Sequence, residues 1–401
     1  MPEAVIVATG RTPIGRAVKG SLVDCRPDDL AAHTVGAVLD KLPQLPRDTI
    51  DDLIMGCAQP AGESGYNLAR VVAVLAGLAD VPGVTVNRYC SSSLQSIRMA
   101  AHAIRANEGD VFVAAGVETV SRYGFGAADV GPHNPLFQEA EARTQARAQK
   151  VTDDWTPLAG LPDVYIAMGQ TAENVAEFKK VSREEMDEFA LLSQTRAVES
   201  QENGFFEREI IPVTTPSGTV VTKDDGPRPN TTLEGLSQLK PVFREGGTIT
   251  AGNACPLNDG AAAVVVMSDT RARELGITPL ARIVASGVSA LNPEIMGLGP
   301  VEAIRQTLKR AGMTIDDVDL VEINEAFAAQ VIPSARHLGI EWDKLNVRGG
   351  AIALGHPFGQ TGARIMTTLL NALEDEGKTW GLESMCVGGG QGMAMIVERL
   401  S

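Results

Sequence analysis

The chain carries the stretch IDDLIMG at residues 50–56, in which acidic residues lead into a short apolar run. Residues 315–321, IDDVDLV, show the same order in the second half of the chain. A short apolar run that follows turn residues is typical of a buried β-strand. Two such strands with the same acidic approach indicate an internal duplication, and this duplication decides the fold.

The duplication extends to the elements on both sides of these strands. Each half offers, in the same order, a buried strand, an amphipathic helix, an Asn-led turn and a closing strand that runs into small residues. These elements lie at residues 5–10, 30–42, 87 and 111–116 in the first half and at residues 283–287, 301–311, 346 and 385–390 in the second. Solenoid proteins need three or more short repeats, so two long copies predict an α/β fold with two duplicated βαβ-type halves.

A segment rich in turn residues separates the two copies. It contains one strong helix signal, because Ser182 and Glu185 have the spacing of a capping box and Asn203 marks the end. We predict an N-terminal half at residues 1–118 plus 251–275, an inserted loop domain at residues 119–250 and a C-terminal half at residues 276–401. Long insertions often cover a substrate, and the alternative is a surface excursion without a role in function.

The composition is that of a globular enzyme and argues against several other classes. Of 401 residues, 44% are hydrophobic and 21% are charged, which is not the composition of a disordered chain. The formal net charge of −15 argues against nucleic-acid binding, because a protein that binds phosphate backbones needs a basic surface. An anionic small ligand is compatible with this charge, because it needs only a local basic site or a helix terminus.

Neither a membrane span nor secretion is expected. The sequence has no run of about 18 apolar residues, and its first residues enter an apolar strand without the basic start of a signal peptide. The five cysteines are widely spread and lack the spacing of metal ligands, so neither a disulfide framework nor a zinc site is expected. A cytoplasmic location with reduced thiols is the resulting expectation.

Cys90 is the first candidate for a reactive residue. It follows the apolar run at residues 84–86 and opens a helix that starts at about Ser92. A cysteine at such a strand-to-helix turn lies near the positive end of the helix dipole, which lowers the pKa of the thiol and favours the thiolate. Backbone N–H groups at such a turn can also bind a developing oxyanion. The alternative is a cysteine that only packs in the core as a small hydrophobic residue.

Stretches rich in small residues in the second half supply further candidates. His356 lies in the run GGAIALGHPFG at residues 349–359, where backbone and ligand can approach closely. Residues 386–392, CVGGGQG, indicate either a close approach to a ligand or a plain hairpin turn. The tetrapeptide NEAF at residues 324–327 says little alone. The sequence lacks the glycine patterns of nucleotide hydrolases and of dinucleotide-binding enzymes.

Together these motifs resemble the signature of the thiolase family. The signature consists of Cys-x-Ser at Cys90, Asn-Glu-Ala-Phe at Asn324, Gly-His-Pro around His356 and Cys-x-Gly at Cys386, in this order. The resemblance extends over the whole chain, through residues 11–15, 168–174, 250–253 and 258–262. It implies the thiolase fold, a layered α-β-α-β-α core with an inserted loop domain. It also implies acyl transfer between acyl-CoA and CoA or acetyl-CoA.

The resemblance assigns a role to each catalytic residue. Cys90 would take the acyl group as a thioester, and His356 would accept the Cys90 proton. Cys386 would move the proton at the α-carbon of acetyl-CoA. One oxyanion hole would consist of His356 and a water held by Asn324, and a second would consist of the backbone N–H groups of Cys90 and Gly388.

The family further implies CoA as a substrate, with no metal and no redox cofactor. The residues expected to contact CoA are Arg228, near its nucleotide end, and Met168, Cys255, Ala326 and Phe327. The inserted loop domain would clamp the CoA tail, and acyl-CoA and CoA would be the partners. Family members are usually homodimers or homotetramers, so one of these states is expected.

Three departures from the family pattern bear on the substrate. Residues 255–256, CP, stand where the family often has Ser-Gly, and Ala167 precedes Met168 where short-chain biosynthetic members commonly have histidine. Residues 91–93, SSS, lack the glycine that is frequent at the first or third position. The catalytic set is intact. The departures favour a broad-range or degradative 3-ketoacyl-CoA thiolase, in fatty-acid β-oxidation or related acyl-CoA degradation, and an acetoacetyl-CoA-forming biosynthetic thiolase is the alternative.

Two further alternatives keep the fold and change the function. A decarboxylating condensing enzyme of the ketoacyl-synthase kind prefers two histidines, or histidine with asparagine, so Cys386 argues against it. A non-catalytic acyl-CoA or lipid-binding protein would be expected to lose at least one of Cys90, His356 and Cys386. The chain retains all three.

Overall fold

The computed structural model describes residues 2–123, 128–149, 155–157 and 159–401. Strands in these ranges are named β1 to β12 in chain order. They are β1 (Ala4–Arg11), β2 (Gly15–Arg16), β3 (Asp52–Gly56), β4 (Gly83–Val86), β5 (Val111–Thr119), β6 (Val213–Thr214), β7 (Val220–Val221), β8 (Asn258–Ser268), β9 (Ala281–Ala290), β10 (Leu320–Ile323), β11 (Trp380–Val387) and β12 (Gln391–Arg399).

The α-helices in the same ranges are named α1 to α13. They are α1 (Pro27–Asp40), α2 (Leu68–Leu75), α3 (Ser92–Ala106), α4 (Val120–Tyr123), α5 (Gln138–Gln149), α6 (Met168–Lys179), α7 (Arg183–Glu202), α8 (Leu233–Ser237), α9 (Asp269–Leu275), α10 (Gly299–Ala311), α11 (Ala328–Leu338), α12 (Ala351–Leu354) and α13 (Thr361–Asp375). None of these helices is long and apolar enough to cross a membrane.

Local sequence signals explain where the longer helices begin and end. The Ser182 hydroxyl accepts a hydrogen bond from the Glu185 N–H at 3.2 Å, and the Glu185 carboxylate accepts one from the Ser182 N–H at 2.8 Å. The predicted capping box of α7 is therefore confirmed. Helix α10 has a proline in its first turn and is followed by Gly312, whose φ of 69° is the left-handed conformation that glycine adopts readily.

The two halves of the chain build sheets with the same pairing. In the first half the strand order is β4-β3-β5-β8-β1, with β3 parallel to β4 and β5, and the remaining pairs antiparallel. In the second half the order is β10-β11-β12-β9, and Leu345 adds a parallel bridge beside β10 in the place of β4. The predicted duplication is confirmed by this shared topology.

The duplicated sheets are joined at one edge and differ in one connection. Val5 and Ile6 of β1 pair with Arg282 and Ala281 of β9, so the halves form one ten-stranded sheet with β2 added beside β8. In the second half a tight turn through glycines with positive φ joins β11 to β12. In the first half the corresponding link from β5 to β8 carries the insertion.

Three hydrophobic clusters show the layers. The first joins α1 and α2 to one face of the first-half strands. The second places α3 and α13 between strands of both halves, and the third joins α10 and α11 to the outer face of the second-half strands. The predicted α-β-α-β-α arrangement is therefore confirmed. The domain boundaries at residues 118, 250 and 275 stay predictions.

Candidate active site

Cys90 lies in the turn between β4 and α3, as the sequence predicts. The turn is held by two side chains. The Asn87 amide oxygen accepts from the Tyr89 N–H at 2.8 Å, and the Ser92 hydroxyl accepts from the Arg88 N–H at 2.9 Å. These bonds stabilise a positive φ of 42° at Tyr89, an uncommon conformation for a side-chain-bearing residue. The residue Cys90 is half-buried, while its sulfur is surrounded by protein atoms.

Burial reverses the expected lowering of the Cys90 pKa. The pKa of this thiol is raised to about 12, with burial as the largest cause. The backbone N–H groups of Gly388 and of Cys90 itself hydrogen-bond to the sulfur and lower the pKa, whereas the negative charge of Glu118 raises it. Loss of water around the sulfur destabilises the thiolate more than these two hydrogen bonds stabilise it. Resting Cys90 is therefore a neutral thiol that needs a base.

His356 lies between α12 and α13 and is buried. Its backbone N–H donates to the Asn258 amide oxygen at 3.0 Å. Its Nε2 atom lies 3.3 Å from the Asn324 amide nitrogen, and its Nδ1 atom lies 2.7 Å from the Thr361 hydroxyl oxygen. Residues from β8, from the end of β10 and from the start of α13 thus orient one imidazole ring.

The Thr361 hydroxyl determines which ring nitrogen of His356 carries the proton. This hydroxyl also lies 2.8 Å from the Pro357 carbonyl oxygen, which can only accept a hydrogen bond. The single hydroxyl hydrogen is therefore used there, and Nδ1 must be the donor to Thr361. Burial, together with the charge of Arg364, lowers the pKa of His356 to about 3. The ring is neutral, and the basic lone pair is on Nε2, where it faces the Asn324 amide nitrogen.

Cys386 is buried near the end of β11, and Gly388 follows in the turn to β12. Burial raises the pKa of the Cys386 thiol, and charge on Cys90 or Cys255 raises it further. Burial raises the pKa of Cys255, and charge on Cys90 raises it further. The three sulfurs are therefore near enough that one thiolate disfavours the formation of another.

Four of the five residues expected to contact CoA lie together, and the fifth, Arg228, lies apart from them. The Cys255 N–H donates to the Ala326 carbonyl oxygen at 3.0 Å, and Ala254 pairs with Phe327. Met168 begins α6, and its sulfur would lie 3.8 Å from a Cβ placed on Gly388. Four of the five predicted residues therefore border the same region as the cysteines.

Arg228 differs from these four residues, because it is exposed on the surface. Its N–H donates to the Gln194 side chain at 2.9 Å, and no carboxylate within the described ranges pairs with its guanidinium. Two residues earlier, a Cβ on Gly226 would lie 2.0 Å from the Ala353 carbonyl oxygen, so this loop contacts α12 just before His356. The guanidinium is thus held on a loop that adjoins the site and is available to an anion.

Two residues of the site were not found by sequence reasoning. Thr361 carries no signal beyond its position at the start of a helix close after His356. Glu118 has a visible signal, because it is a charged residue in the strand VFVAAGVET, in which every residue is buried. Charged side chains are almost never fully buried unless they are paired, so such a residue indicates a specific set of partners.

The arrangement suits acyl transfer through a thioester. Cys90 is a neutral thiol with two N–H donors at its sulfur, and His356 is a neutral imidazole whose basic nitrogen is Nε2. If the sulfur attacks a carbonyl carbon, the oxygen next to it can take over those N–H groups as an oxyanion. A second buried thiol, Cys386, is a weak acid next to the first.

Comparison with known proteins gives consistent matches over the whole chain. Two family models match, "Thiolase, N-terminal domain" over residues 4–270 and "Thiolase, C-terminal domain" over residues 277–399. The chain is 45% identical to a beta-ketoadipyl-CoA thiolase of Acinetobacter baylyi over 100% of both chains. It is 43% identical to a 3-ketoacyl-CoA thiolase of Bacillus subtilis over 99% of this chain and 100% of the relative. The human mitochondrial 3-ketoacyl-CoA thiolase structure matches with a TM-score of 0.86 at 38% identity, over 100% of this chain and 99% of that chain.

Proposed function

Because the chain belongs to the thiolase family, it is an acetyl-CoA C-acyltransferase, and we propose that it cleaves 3-ketoacyl-CoA with CoA through an acyl-enzyme on Cys90. The observation that carries the residue assignment is the pair of backbone N–H groups, from Cys90 and Gly388, at the Cys90 sulfur. Donors at the attacking sulfur suit the oxyanion of the carbonyl that this sulfur attacks.

In the first half-reaction the Cys90 proton passes to Nε2 of His356 as the sulfur attacks the 3-keto carbon. The pKa of Cys90, about 12, lies far above the pKa of His356, about 3, so the proton moves only as negative charge moves from the sulfur to the oxyanion. The bond between carbons 2 and 3 then breaks, which leaves the acyl group on Cys90 and the enolate of acetyl-CoA. Protonated His356 and Asn324 face the enolate oxygen in this scheme.

In the second half-reaction the protons return to where they began. The Cys386 thiol gives its proton to carbon 2 of the enolate, and acetyl-CoA leaves. Cys386 then takes the proton of the incoming CoA thiol, whose sulfur attacks the acyl group on Cys90. The shortened acyl-CoA leaves, and the Cys90 sulfur recovers its proton from His356. A high pKa suits Cys386 for this role, because the thiol is fully protonated when the enolate forms.

For the substrate, we propose a 3-ketoacyl-CoA in the degradative direction, in fatty-acid or aromatic-compound breakdown. The support is that full-length relatives at 43% to 45% identity are named 3-ketoacyl-CoA thiolase and beta-ketoadipyl-CoA thiolase. For CoA, we propose contacts with Met168, Cys255, Ala326 and Phe327 and with Arg228 at the nucleotide end. A guanidinium beside the site that meets no carboxylate among the described residues suits a phosphate group.

The test is thiolysis of a ladder of 3-ketoacyl-CoA esters of increasing chain length, together with 3-oxoadipyl-CoA and acetoacetyl-CoA. The acyl-enzyme is detected as a mass increase of the intact protein. We expect cleavage by the wild-type protein and by Cys25→Ala, which removes a buried thiol of the first core cluster. Cys90→Ala should give neither turnover nor adduct. An adduct on Cys90→Ala would disprove the nucleophile, and no cleavage of any ester by the wild type would disprove the function.

We also propose that the protein forms a homodimer or homotetramer. Within the described residues β4 pairs only with β3, so it leaves one edge of the sheet open, and Tyr66 nearby is 96% exposed. An open edge strand is a common site of association. Sedimentation velocity should give at least twice the mass of 42.3 kDa, and Thr85→Pro on β4 should reduce it.

For the location, we propose the cytoplasm. The unpaired state of all five cysteines agrees with such a reducing compartment.

A further inference from the structure

Glu118 is a buried carboxylate near the end of β5 that no step of the proposed reaction uses. Its Oε2 atom accepts hydrogen bonds from the N–H groups of Ala58 and Gly359, both at 2.9 Å. Its Oε1 atom accepts from the Gln59 N–H at 3.2 Å and from the Tyr123 hydroxyl at 3.2 Å. Few ways exist to satisfy a buried carboxylate, and here backbone N–H groups from two separate loops do so.

The first of these loops belongs to His356. Gly359 lies three residues after the histidine and packs so tightly that a Cβ would be 2.4 Å from the Val117 carbonyl oxygen and 3.0 Å from the Cys57 Cα. The Gly359 N–H bond to Glu118 therefore attaches the His356 loop directly to the ends of β3 and β5. The His356 loop belongs to the second half of the chain, whereas Glu118 belongs to the first.

The second loop supports Cys90. Cys57 and Ala58 follow β3, and the Cys57 N–H donates to the Val86 carbonyl oxygen at 3.0 Å. The Ala58 carbonyl oxygen accepts from the Asn87 side chain at 3.1 Å. Val86 and Asn87 are the residues that lead into the Cys90 turn. One carboxylate thus holds both the loop that carries His356 and the loop on which the Cys90 turn rests.

We infer that Glu118 is a positioning residue that fixes the His356 loop against the Cys90 turn, and so sets the alignment of imidazole and thiol. The inference rests on the proposed roles of Cys90 and His356. An amide could not replace the carboxylate, because its NH₂ group cannot accept the N–H bonds that reach both oxygens.

The same carboxylate has a second, opposite effect on the reaction. Its negative charge raises the pKa of the Cys90 thiol and so opposes ionisation of the nucleophile. Burial raises the pKa of Glu118 itself to about 7, so the group is charged in weakly alkaline solution. Removing the charge should therefore make the Cys90 thiol more reactive while the misaligned His356 makes turnover slower. A residue that only stabilised the fold would not separate these two rates.

The experiment compares Glu118→Gln with the wild-type protein in two assays. One is steady-state thiolysis of acetoacetyl-CoA, and the other is alkylation of Cys90 by iodoacetamide at pH 9, read by intact mass against a Cys90→Ala background. We expect kcat to fall at least about tenfold, as small misplacements of reacting groups do. We expect the alkylation rate to rise about threefold, the change given by half a pKa unit.

Two further variants separate charge, reach and general stability. Glu118→Asp keeps the charge but shortens the side chain, so kcat should fall while the alkylation rate stays unchanged. This variant replaces Glu118→Gln if Glu118→Gln does not fold.

Asp51→Asn is the matched control. Asp51 accepts the N–H groups of Asp110 and Val111 at 2.7 Å and 2.9 Å, at the opposite ends of the same two strands. The kcat of Asp51→Asn should equal that of the wild-type protein.

The outcomes distinguish this inference from the proposed function. An unchanged kcat in Glu118→Gln and Glu118→Asp would overturn the inference, and so would an equal loss of kcat in Asp51→Asn. A fall of both kcat and the alkylation rate in Glu118→Gln would also overturn it, because the Cys90 turn itself would then be disturbed. Absence of turnover in the wild-type protein would instead defeat the proposed function.

Discussion

The Nδ1 atom of His356 lies 2.7 Å from the hydroxyl oxygen of Thr361, and this hydroxyl lies 2.8 Å from the Pro357 carbonyl oxygen. The hydroxyl has one hydrogen, and the carbonyl can only accept it, so the ring must donate from Nδ1. The Asn324 amide approaches the opposite nitrogen, Nε2. A threonine at the start of α13 thus leaves Nε2 as the only basic atom of the ring.

Replacing Thr361 with valine keeps the side-chain shape and removes this acceptor. The ring of His356 then loses the bond that selects its tautomer, and we expect kcat to fall by about tenfold or more, with KM for CoA unchanged. Thr367→Val is the matched control, because the Thr367 hydroxyl bonds the Ala363 carbonyl oxygen in the same helix at 2.8 Å and has no contact with the histidine. Equal kcat values for the two variants would show that the Thr361 hydroxyl has no part in turnover.

The pH dependence of Cys90 reactivity should follow the raised pKa of its thiol. Burial raises this pKa to about 12 and lowers the pKa of His356 to about 3, so both groups stay neutral between these values. The thiolate fraction then grows about tenfold for each pH unit, and less steeply around pH 7, where ionisation of Glu118 raises the pKa of Cys90. We expect the alkylation rate of Cys90 in the free enzyme to rise steadily from pH 6 to pH 10. A plateau that begins near neutral pH would instead reveal a preformed thiolate and imidazolium.

Glu383 is expected to reduce stability at neutral and alkaline pH. It pairs in register with Glu322 on the next strand, both side chains are buried, and neither Glu383 oxygen has a hydrogen-bond partner within the described ranges. Burial raises the pKa of Glu383 and raises that of Glu322 to about 8, above the ordinary 4.5. The folded state therefore holds protons that the unfolded state releases, and stability falls as pH rises from 4.5 through 8.

Glu383→Leu should remove part of this loss and raise the stability at pH 8 by about 1–3 kcal/mol, the cost of an unpaired buried polar group. Thermal unfolding at pH 6 and pH 8 measures the effect, which should be larger at pH 8. Glu374→Leu, at an exposed position of α13, should change the melting temperature little. A lower melting temperature for Glu383→Leu would mean that this carboxylate serves as counter-ion to buried Arg364.

Arg228→Gln tests the proposed contact with the nucleotide end of CoA. The variant loses a charge that meets no carboxylate within the described ranges, and we expect KM for CoA to rise about three- to tenfold, with kcat unchanged. With pantetheine as the acceptor, which lacks the nucleotide, the two proteins should have the same KM. Arg273→Gln is the control, since Arg273 is exposed and pairs with Asp269. An equal effect with both acceptors would place Arg228 elsewhere on the substrate.

Features that depend on residues close in sequence were predicted well. The capping box at Ser182 and Glu185 forms as predicted, and Cys90 lies in the predicted turn between β4 and α3. The duplicated strands have the predicted order because apolar runs and turn residues are local properties of the chain. The motifs around His356 and Cys386 were recognisable for the same reason.

The roles of Thr361 and Glu118 could not be predicted in this way. Glu118 stands out as a charge in an apolar strand, but its partner Gly359 is 241 residues away along the chain. Thr361 is near His356 in sequence, yet only the fold shows that its hydroxyl reaches both Nδ1 and the Pro357 carbonyl oxygen. Contacts between distant segments depend on how the two halves pack, and periodicity does not specify that packing.

The sequence alone determined the duplicated α/β fold, the position of Cys90 at a helix start and the set of motifs that the site contains. Only the tertiary structure decided the protonation states of that site. The helix start by itself favours a thiolate at Cys90, but removal of water from the sulfur outweighs it and raises the pKa to about 12. Burial is a property of all the surrounding segments together, so the neutral thiol and the neutral imidazole of His356 are consequences of packing.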